Sequence, residues 1–431
     1  MEIKSNYWLT RGVNNIWRSK GRRDLLTTGF ADVVILVISF ITGILTARLL
    51  GPEGRGELAV VILWPSVIAA VGSLGIRDAL IFEQAKGLHS KATLAGTAII
   101  LAACQSSVLM LLGWFLIPIL TKGQTNQIIS LTQKYLFFIF LNLTSLYLIA
   151  LLQGRLHITL YNITRISVNL FYLLGIVILA FSNLVTVENV AFTLLVSNVI
   201  TVILALTFTV RNSGLNFHFQ LAIVKGLFIY GLKSHVGGIS HMFNERLDQM
   251  VLALLLSPKE LGWYVVAVSV ANMTKVAASP FAQMIFPRVT GQEQSHQKLI
   301  IRVYSRYALL STGILAFFLY FTLPYLLPFV YGNEYRPSIV TAEVLVVASV
   351  FLGIGLVWRQ ALAGLGEPLI ASQAEVLSLI VTAAGIYFLV PTYGILGAAW
   401  VSLVAYSLAV FYLGWKLKTA IAVSWKYLLG L

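Results

Sequence analysis

The chain has 431 residues, of which 58% are hydrophobic and only 11% are charged, and its formal net charge is +14. Soluble proteins are about 45 to 50% apolar and about 25% charged, so the composition excludes a water-soluble fold. Apolar runs of roughly 20 residues recur along the whole chain, each long enough to cross a hydrocarbon core ~30 Å thick. They are too long and too uniformly apolar for barrel strands. The sequence therefore predicts an all-α polytopic membrane protein.

In chain order, we predict a basic N-terminal segment, two lobes of six helices each, a short linker between the lobes and a C-terminal tail. The predicted bounds are 1–24 for the segment, 25–210 for the N-terminal lobe, 211–226 for the linker, 227–416 for the C-terminal lobe and 417–431 for the tail. The twelve predicted transmembrane helices are 25–50, 57–74, 92–120, 135–153, 160–181, 188–210, 227–256, 261–286, 307–331, 338–362, 369–390 and 395–415.

Positive charge is distributed unevenly over the loops between these helices. Most of the 30 Lys and Arg residues, with Arg165 counted among them, lie on the same side as the N-terminus. Cytoplasmic loops carry an excess of Lys and Arg, so both termini are expected in the cytoplasm. The net charge then reflects topology, and no nucleic acid is expected as a partner.

The sequence contains no motif for a cofactor or a metal ion. A phosphate-binding Gly-Lys-Ser/Thr loop, a Cys-x-x-Cys pair and a His-Glu-x-x-His helix are all absent. The single cysteine, Cys104, lies in an apolar run and is interpreted as a packing residue. We therefore expect no cofactor, no metal and no enzymatic activity.

An internal repeat relates the two lobes. The residues Leu49–Glu53 at the end of the first span resemble Leu255–Lys259 at the end of the seventh span, 206 residues further on. The same offset superposes a polar stripe at helical spacing in the first span on one in the seventh. An even number of spans separates the copies, so the repeat is parallel. Transporters built from such repeats handle substrate at the interface between them.

The seventh span carries most of the unexplained charge. His241, Glu245, Arg246 and Asp248 lie in an otherwise apolar helix, and three of the four share one face with Ser234. Charged side chains at membrane depth are costly unless they face a water-filled cavity or a partner. Two interpretations remain open, an internal ion-pair network and contact with substrate or a coupling ion. His241 is either a neutral, hydrogen-bonded residue or a proton relay with Glu245.

Three more candidates lie in other spans. Lys275, with Asn272 one turn away, is at mid-depth in the eighth span and requires either a partner from another helix or an anionic ligand. Asp32 lies about 10 Å in from the cytoplasmic end of the first span by helix rise. It could pair with Lys275, hold a coupling cation or line a solvated vestibule.

Two arginines lie near the ends of spans. Arg77, beside Asp78 at the cytoplasmic end of the second span, could form a local pair or part of a gate. Arg48 lies near the outer surface, where the long side chain could reach lipid headgroups or line the cavity.

Three short segments resemble those of a known family. With Thr-Ala-Arg-Leu-Leu-Gly-Pro-Glu-Gly at Thr46–Gly54, Gly-Ser-Leu-Gly-Ile at Gly72–Ile76 and Phe-Pro-Arg at Phe286–Arg288, the chain resembles the polysaccharide (oligosaccharide, O-antigen) flippases of the MOP superfamily. The resemblance extends over the whole length in span count, repeat and loop charge. It implies two six-helix bundles around a central, often cationic cavity, which rock to move a polyprenyl-pyrophosphate-linked oligosaccharide across the inner membrane.

The resemblance also implies partners and a site. The expected partners are the lipid-linked oligosaccharide, membrane lipids, a coupling ion (H⁺ or Na⁺) and polysaccharide polymerase or ligase machinery. The acids of the seventh span depart from a simply cationic lining. The substrate-binding candidates are Arg246, Lys275, Glu245, Asp248, Asn272, Arg48 and Arg77, and the ion-coupling candidates are Asp32, His241, Glu245 and Asp248.

Two alternative functions remain. The first is a cation-coupled small-molecule or drug antiporter of the same superfamily, which acids in the cavity favour. The second is a membrane glycosyltransferase or polymerase. It would require paired carboxylates on an extramembrane loop, and no loop of this chain is long enough to fold as a domain.

Overall fold

The computed structural model describes the backbone of residues 6–87, 89–217 and 220–428. Within these ranges it describes all side chains except those of residues 6–22, 25, 236–241, 244 and 245. The described chain is helical throughout, with short connections. The α-helices are α1 (Asn6–Gly72), α2 (Ile76–Lys86), α3 (Lys91–Leu120), α4 (Asn126–Tyr135), α5 (Phe137–Gly154), α6 (Ile158–Phe181), α7 (Val187–Ser213), α8 (Leu221–Leu255), α9 (Pro258–Val289), α10 (Gln294–Tyr331), α11 (Ser338–Gly364), α12 (Pro368–Ile421) and α13 (Trp425–Leu428).

Two of these helices are pairs of spans joined at a glycine. Gly51 divides α1 with φ 67° and ψ 179°, and Gly394 divides α12 with φ 55° and ψ −135°. A side chain is strained at such positive φ, which accounts for glycine at these turns. α2 continues the second span, and α4 and α5 together form the fourth. Counted this way, the described residues form twelve spans, which confirms the predicted fold class.

The turns before the second and eighth spans are at equivalent positions in the two repeats, but different residues form them. In the first repeat, Gly51 makes the turn and Pro52 opens the next helical arm. In the second, Ser257 caps α9: its Oγ accepts from the Glu260 amide at 3.3 Å, and the Glu260 carboxylate accepts from the Ser257 amide at 3.0 Å. Proline suits the first helical position because its missing N–H would have no partner there.

Matched helix packing confirms the repeat. A Cβ built on Gly154 would lie 3.0 Å from the Ile81 carbonyl oxygen, and one built on Gly364 would lie 3.0 Å from the Phe286 carbonyl oxygen. In each repeat, therefore, a glycine at the end of the fourth helix packs on the backbone at the end of the second. Only a residue without a side chain fits this approach comfortably.

The next pair of glycines repeats the correspondence one helix further along. Gly175 packs against Thr193, and Gly385 packs against Val401. In both repeats the fifth helix thus approaches the sixth through a glycine. In the sequence Gly154 and Gly175 are 21 residues apart, as are Gly364 and Gly385, so the offset between the repeats is 210 in these later helices.

The described chain forms two compact units that do not coincide with the repeats. Unit 1 comprises the chain up to Thr42 together with Pro65–Trp114 and Lys134–His235. Unit 2 comprises Gly43–Trp64, Phe115–Gln133 and the chain from Val236 onwards. Each unit therefore contains helices from both repeats. The predicted lobes follow the repeat, and their bounds stay a prediction. In the structure α7 ends at Ser213 and α8 begins at Leu221.

The core of unit 2 includes part of the predicted tail. Trp358 of α11 is 2% exposed and donates its indole N–H to the Ser305 hydroxyl at 2.9 Å. Trp425 of α13 lies beside it, with ring centroids 6.4 Å apart, and Leu428 is fully buried. The short helix α13 therefore anchors the end of the described chain on the core of the second repeat.

Candidate functional site

The polar residues at the start of the seventh span contact the first repeat inside unit 1. The Ser234 hydroxyl donates to Asp78 Oδ2 at 2.6 Å. His235 donates from Nε2 to the Val71 carbonyl oxygen at 2.8 Å. These two bonds link α8 to the end of the second span on the predicted cytoplasmic side. We call this group, completed by Gly75 and Gly231, the inner contact.

Two glycines bring the backbones together at the inner contact. Gly75 has φ +69°, and a Cβ built on it would overlap the Gly231 carbonyl oxygen. One turn away, the rings of Phe82 and Tyr230 stack with centroids 4.2 Å apart. The inner contact therefore combines close backbone packing with directional hydrogen bonds.

Arg77 supports the inner contact from within the first repeat. Its Nη2 donates to Gln153 Oε1 of α5 at 2.9 Å, and its Nη1 lies 3.4 Å from Asp78 Oδ1. The local pair considered for this arginine is therefore present. It orients the carboxylate that accepts from Ser234.

A second contact between the repeats lies inside unit 2, at the opposite, predicted external end of the spans. A Cβ built on Gly56 would overlap the Pro258 carbonyl oxygen, and one built on Gly262 would overlap the Pro52 carbonyl oxygen. Pro52 corresponds to Pro258, and Gly56 corresponds to Gly262, at the repeat offset of 206. In such an isologous arrangement, residue i contacts j′ and residue j contacts i′. We call these four residues the outer contact.

Arg48 lies beside the outer contact and caps a helix. Its Nε donates to the Val330 carbonyl oxygen at 2.6 Å, and its Nη2 donates to that of Phe329. Both carbonyls belong to the last turn of α10, where they have no intrahelical partner and where a cation is favoured. In the structure Arg48 therefore caps the end of α10. From the sequence alone, we expect only lipid headgroups or the cavity lining around this side chain.

Tyr335 adds a further hydrogen bond at the predicted external end of the spans. The Tyr335 hydroxyl donates to the Ala47 carbonyl oxygen at 3.0 Å. Burial raises the pKa of this hydroxyl above its ordinary value. It therefore remains a protonated donor, and it ties the loop after α10 to the first span.

Asp32 belongs to a row of polar pairs between α1 and α6 in unit 1. Arg165 Nη2 donates to Asp32 Oδ1 at 2.7 Å. Arg165 is thus the ion-pair partner of Asp32 within unit 1, and the pairing of Asp32 with Lys275 stays a prediction. Arg165 lies seven residues into α6, inside the predicted span 160–181.

The row continues on either side of the ion pair. Asn162 donates its amide to the Thr28 hydroxyl at 3.2 Å, and the Ser39 hydroxyl donates to Asn169 Oδ1 at 3.1 Å. The polar stripe of the first span is thus matched by a second stripe on α6.

In the seventh span, the neighbouring charges have different environments. Asp248 is 6% exposed and accepts from the Tyr264 hydroxyl at 2.6 Å and from the Gln249 amide at 2.7 Å. Arg246, two residues away, is exposed. Asp248 is therefore a buried acceptor that joins α8 to α9, whereas Arg246 is accessible. The side chains of His241 and Glu245 lie outside the described residues.

In the eighth span, Asn272 and Lys275 are less buried than Thr274, which lies between them. Asn272 is exposed and Lys275 is half-buried. Thr274 is fully buried and bonds to the Ser349 hydroxyl of α11. The two predicted site residues are therefore more exposed than Thr274, which packs on α11.

Sequence reasoning missed the partners, although one signal for them was available. Tyr161, Asn162, Arg165 and Asn169 recur at helical spacing on α6, the same kind of stripe that identified the first span. The Tyr264 hydroxyl has no comparable signal, because aromatic residues are common in membrane helices for other reasons.

Twelve spans in two parallel repeats, joined by separate contacts at both ends, define a polytopic helical membrane protein with the architecture of a transporter. The chain belongs to the polysaccharide biosynthesis protein family, whose sequence model matches residues 22–293. It is similar to the probable low-salt glycan biosynthesis flippase Agl15 of Haloferax volcanii, with 21% identity over 207 residues. That match covers 47% of this chain and 44% of the relative, so the chain spans less than half the length of that relative.

Solved structures share the fold over nearly the whole chain. The lipid II flippase MurJ in an inward closed conformation matches with a TM-score of 0.76 at 12% identity, covering 92% of this chain and 89% of MurJ. A multidrug resistance MATE family transporter of the MOP superfamily, in an inward-facing conformation, matches with a TM-score of 0.74 at 15% identity. That match covers 90% of this chain and 96% of the transporter. Both likenesses concern the fold.

Proposed function

We propose that this protein moves a polyprenyl-pyrophosphate-linked oligosaccharide across the inner membrane by alternating access, with both termini in the cytoplasm. The observation that carries the proposal is the pair of contacts between the repeats. The outer contact joins Gly56 and Gly262 to the opposite repeat, and the inner contact joins Ser234 to Asp78. Opening one while the other stays closed exposes the interior to one side at a time, as a carrier requires.

Family membership supports the choice of substrate. The matching family is described as polysaccharide biosynthesis protein, and the relative Agl15 is named as a probable glycan biosynthesis flippase. The MATE-like fold alone is equally compatible with a cation-coupled drug antiporter. The family match favours the glycan, because it extends over more than half of the chain.

Two accessible cations suit an anionic headgroup. Arg246 is exposed and Lys275 is half-buried, in neighbouring spans of the second repeat. We assign both to the pyrophosphate, with Asn272 as an exposed polar neighbour of Lys275. A coupling ion, H⁺ or Na⁺, would use carboxylates of the spans or His241, and passage of the glycan to a polymerase or ligase would follow on the external side.

The direct test is transfer between leaflets. The purified protein is reconstituted into vesicles with a fluorescent lipid-linked saccharide, and the fraction that reaches the opposite leaflet is measured over time. We expect transfer by the wild type and a strong reduction for the double variant Arg246→Ala, Lys275→Ala. Imposed H⁺ or Na⁺ gradients show whether transfer is coupled.

The controls separate this function from its alternatives. A Lys122→Ala variant removes an exposed cation from a loop on the predicted external side and should retain transfer. Absence of wild-type transfer would contradict the proposal. Drug resistance conferred on a pump-deficient host would favour the antiporter, and formation of product from a labelled lipid-sugar donor would favour an enzyme.

A further inference from the structure

The ion pair between Asp32 and Arg165 leaves N–H donors of the arginine without an acceptor among the described residues. Among the described residues, the Arg165 guanidinium makes one hydrogen bond, from Nη2 to Asp32 Oδ1. A guanidinium carries five N–H donors, and its strongest carboxylate pairs use two of them in parallel. Most of the donor capacity of Arg165 therefore remains available.

The pair is also accessible, although it lies in spanning helices. The Arg165 side chain is 28% exposed and the Asp32 side chain is 42% exposed. Hydrocarbon around a charged side chain is costly, so we expect the exposed part of the pair to face water. The flanking hydrogen bonds of Thr28 with Asn162 and of Ser39 with Asn169 extend the polar character of this face.

The surroundings of Arg165 hold the guanidinium in place. Its charged group lies over the Tyr161 ring, 5.1 Å from the centroid. Such a cation–π contact is electrostatically favourable and leaves the N–H edge of the guanidinium available. Arginine in this arrangement suits phosphate oxygens, which it binds bidentately.

A second ion pair provides the contrast. Arg359 Nη1 and Glu375 Oε1 are also 2.7 Å apart, between α11 and α12 of the second repeat. Their side chains are only 24% and 11% exposed, and the Nε of Arg359 is buried. Glu375 occupies the position that matches Arg165 at the offset of 210 between the later helices. The second repeat therefore contains a more buried ion pair, in which Glu375 is at a position matched to Arg165 while Arg359 has no counterpart in Asp32.

We infer that Arg165 binds the phosphate or diphosphate group of the substrate and that Asp32 is its displaceable counter-ion. Phosphate oxygens take the donors of Arg165 that Asp32 leaves unused and then compete with the carboxylate for the rest. The inference rests on the proposed function for the source of the anion, the headgroup of a lipid-linked saccharide. It adds an anion site in the first repeat to the cations assigned in the second.

The test is a binding measurement on the full chain in detergent, with three probes. Farnesyl diphosphate presents the lipid and the anion together, inorganic pyrophosphate presents the anion alone, and farnesol presents the lipid alone. We expect Arg165→Met to weaken farnesyl diphosphate binding by about tenfold or more, because it removes charge-assisted hydrogen bonds. Arg165→Lys should give an intermediate loss. Farnesol binding should not change.

Asp32→Asn distinguishes a binding site from a structural pair. Removal of the competing carboxylate should tighten farnesyl diphosphate binding by about two- to fivefold, the range expected for a partly exposed ion pair. A structural pair would give the same sign for both partners. The matched control is Arg359→Met, which should leave binding at the wild-type value. Thermal unfolding of each variant verifies the fold.

The possible outcomes separate this inference from the proposed function. Wild-type affinity in both Arg165 variants, or equal weakening by Asp32→Asn and Arg165→Met, would overturn the inference. Leaflet transfer without any binding of farnesyl diphosphate would overturn it while leaving the proposed function in place. The expected binding pattern without transfer of lipid-linked saccharide would support the site and contradict the function. Wild-type binding of inorganic pyrophosphate as tight as that of farnesyl diphosphate would identify a free phosphate, rather than a lipid headgroup, as the source of the anion.

Discussion

The outer and inner contacts join the same two repeats by different means. At the outer contact, Gly56 packs against the Pro258 carbonyl and Gly262 packs against the Pro52 carbonyl, so the two repeats contribute equivalent residues. At the inner contact, Ser234 and His235 of the second repeat bond to Asp78 and to the Val71 carbonyl of the first. One contact is symmetric and made of backbone, and the other is asymmetric and made largely of side chains.

The asymmetry can be traced to a single pair of equivalent positions. Ser234 corresponds to Thr28 at the repeat offset. Ser234 donates to Asp78 of the other repeat, whereas Thr28 accepts from Asn162 of its own repeat. The same stripe therefore serves contact between the repeats in one copy and packing within the repeat in the other.

The inner contact and the outer contact should open in response to different changes. Close backbone packing has no partner that can be exchanged, and its energy comes from many small dispersion contacts. Hydrogen bonds between side chains can be exchanged for water or ligand one at a time. We therefore expect the inner contact to respond to single polar substitutions and the outer contact to respond to added volume.

Locking the inner contact should have the largest effect. Cys104 is the single cysteine of the chain, so a Cys104→Ala background accepts a new pair, Asp78→Cys with Ser234→Cys, without competing thiols. Oxidation of this pair should abolish leaflet transfer, since the inner contact can no longer open, and a reductant should restore it. The two single-cysteine variants are the controls. Transfer by the cross-linked protein at the wild-type rate would contradict a gating role.

Adding volume to the outer contact should have the next largest effect. Gly→Ala inside a helix ordinarily stabilises by about 0.5–1 kcal/mol, but a Cβ on Gly56 overlaps a backbone carbonyl that cannot rotate away. We expect Gly56→Ala to destabilise the protein by about 1–3 kcal/mol, measured as a lower thermal unfolding midpoint in detergent. By symmetry, Gly262→Ala should behave in the same way.

Gly43 provides the matched control for this prediction. It lies in the same helix, and a Cβ built on it would meet nothing within 4 Å. Gly43→Ala should therefore raise the midpoint slightly. Equal midpoints for the Gly43 and Gly56 variants would show that the outer contact does not restrict volume.

The sequence predicts the fold well because membrane spans are local features. Length and hydropathy are sufficient to locate each span, and the shared Pro52 and Pro258 positions are sufficient to align the repeats. At the same offset Gly56 is equivalent to Gly262, but their contacts with the opposite repeat are seen only in the structure. The fold class, the span count and the parallel repeat were accessible in this way.

The partners of the charged residues were not accessible, because they depend on how neighbouring helices are rotated. Asp32 could be assigned to a polar face, but whether that face meets Arg165 or Lys275 depends on the packing of α6 against α1. The environment of Asp248 likewise depends on the adjacent helix, which supplies the Tyr264 hydroxyl that donates to it. Helix periodicity predicts which residues share a face, but only tertiary packing determines which residues of other helices that face contacts.

Removal of the inner acceptor should have a smaller effect than either change above. Asp78→Ala deletes the partner of Ser234 and of Arg77. It should cost about 1–2 kcal/mol, less than Gly56→Ala, because the Asp78 side chain is 46% exposed and water can replace part of the lost bonding. We expect faster amide hydrogen exchange in α8 between residues 227 and 235, where the bond holds the helix. Ser234→Ala, which deletes one bond and leaves Asp78 paired with Arg77, should show a weaker form of the same change. Exchange unchanged in both variants would indicate that glycine and aromatic packing alone hold the inner contact.

Removal of the arginine cap should have the smallest effect, and it tests whether the external end depends on polar contacts at all. Arg48→Met keeps much of the apolar stem but deletes the donors to Phe329 and Val330, so it should cost about 0.5–1.5 kcal/mol. Faster hydrogen exchange confined to the loop after α10 would identify the loss as local, since Tyr335 still bonds to the Ala47 carbonyl. The matched control is Lys122→Met, which removes a positive charge from another loop on the same predicted side. If both variants changed the loop equally, the effect would come from charge rather than from the cap, and the outer contact would then be less purely a matter of backbone packing than the comparison implies.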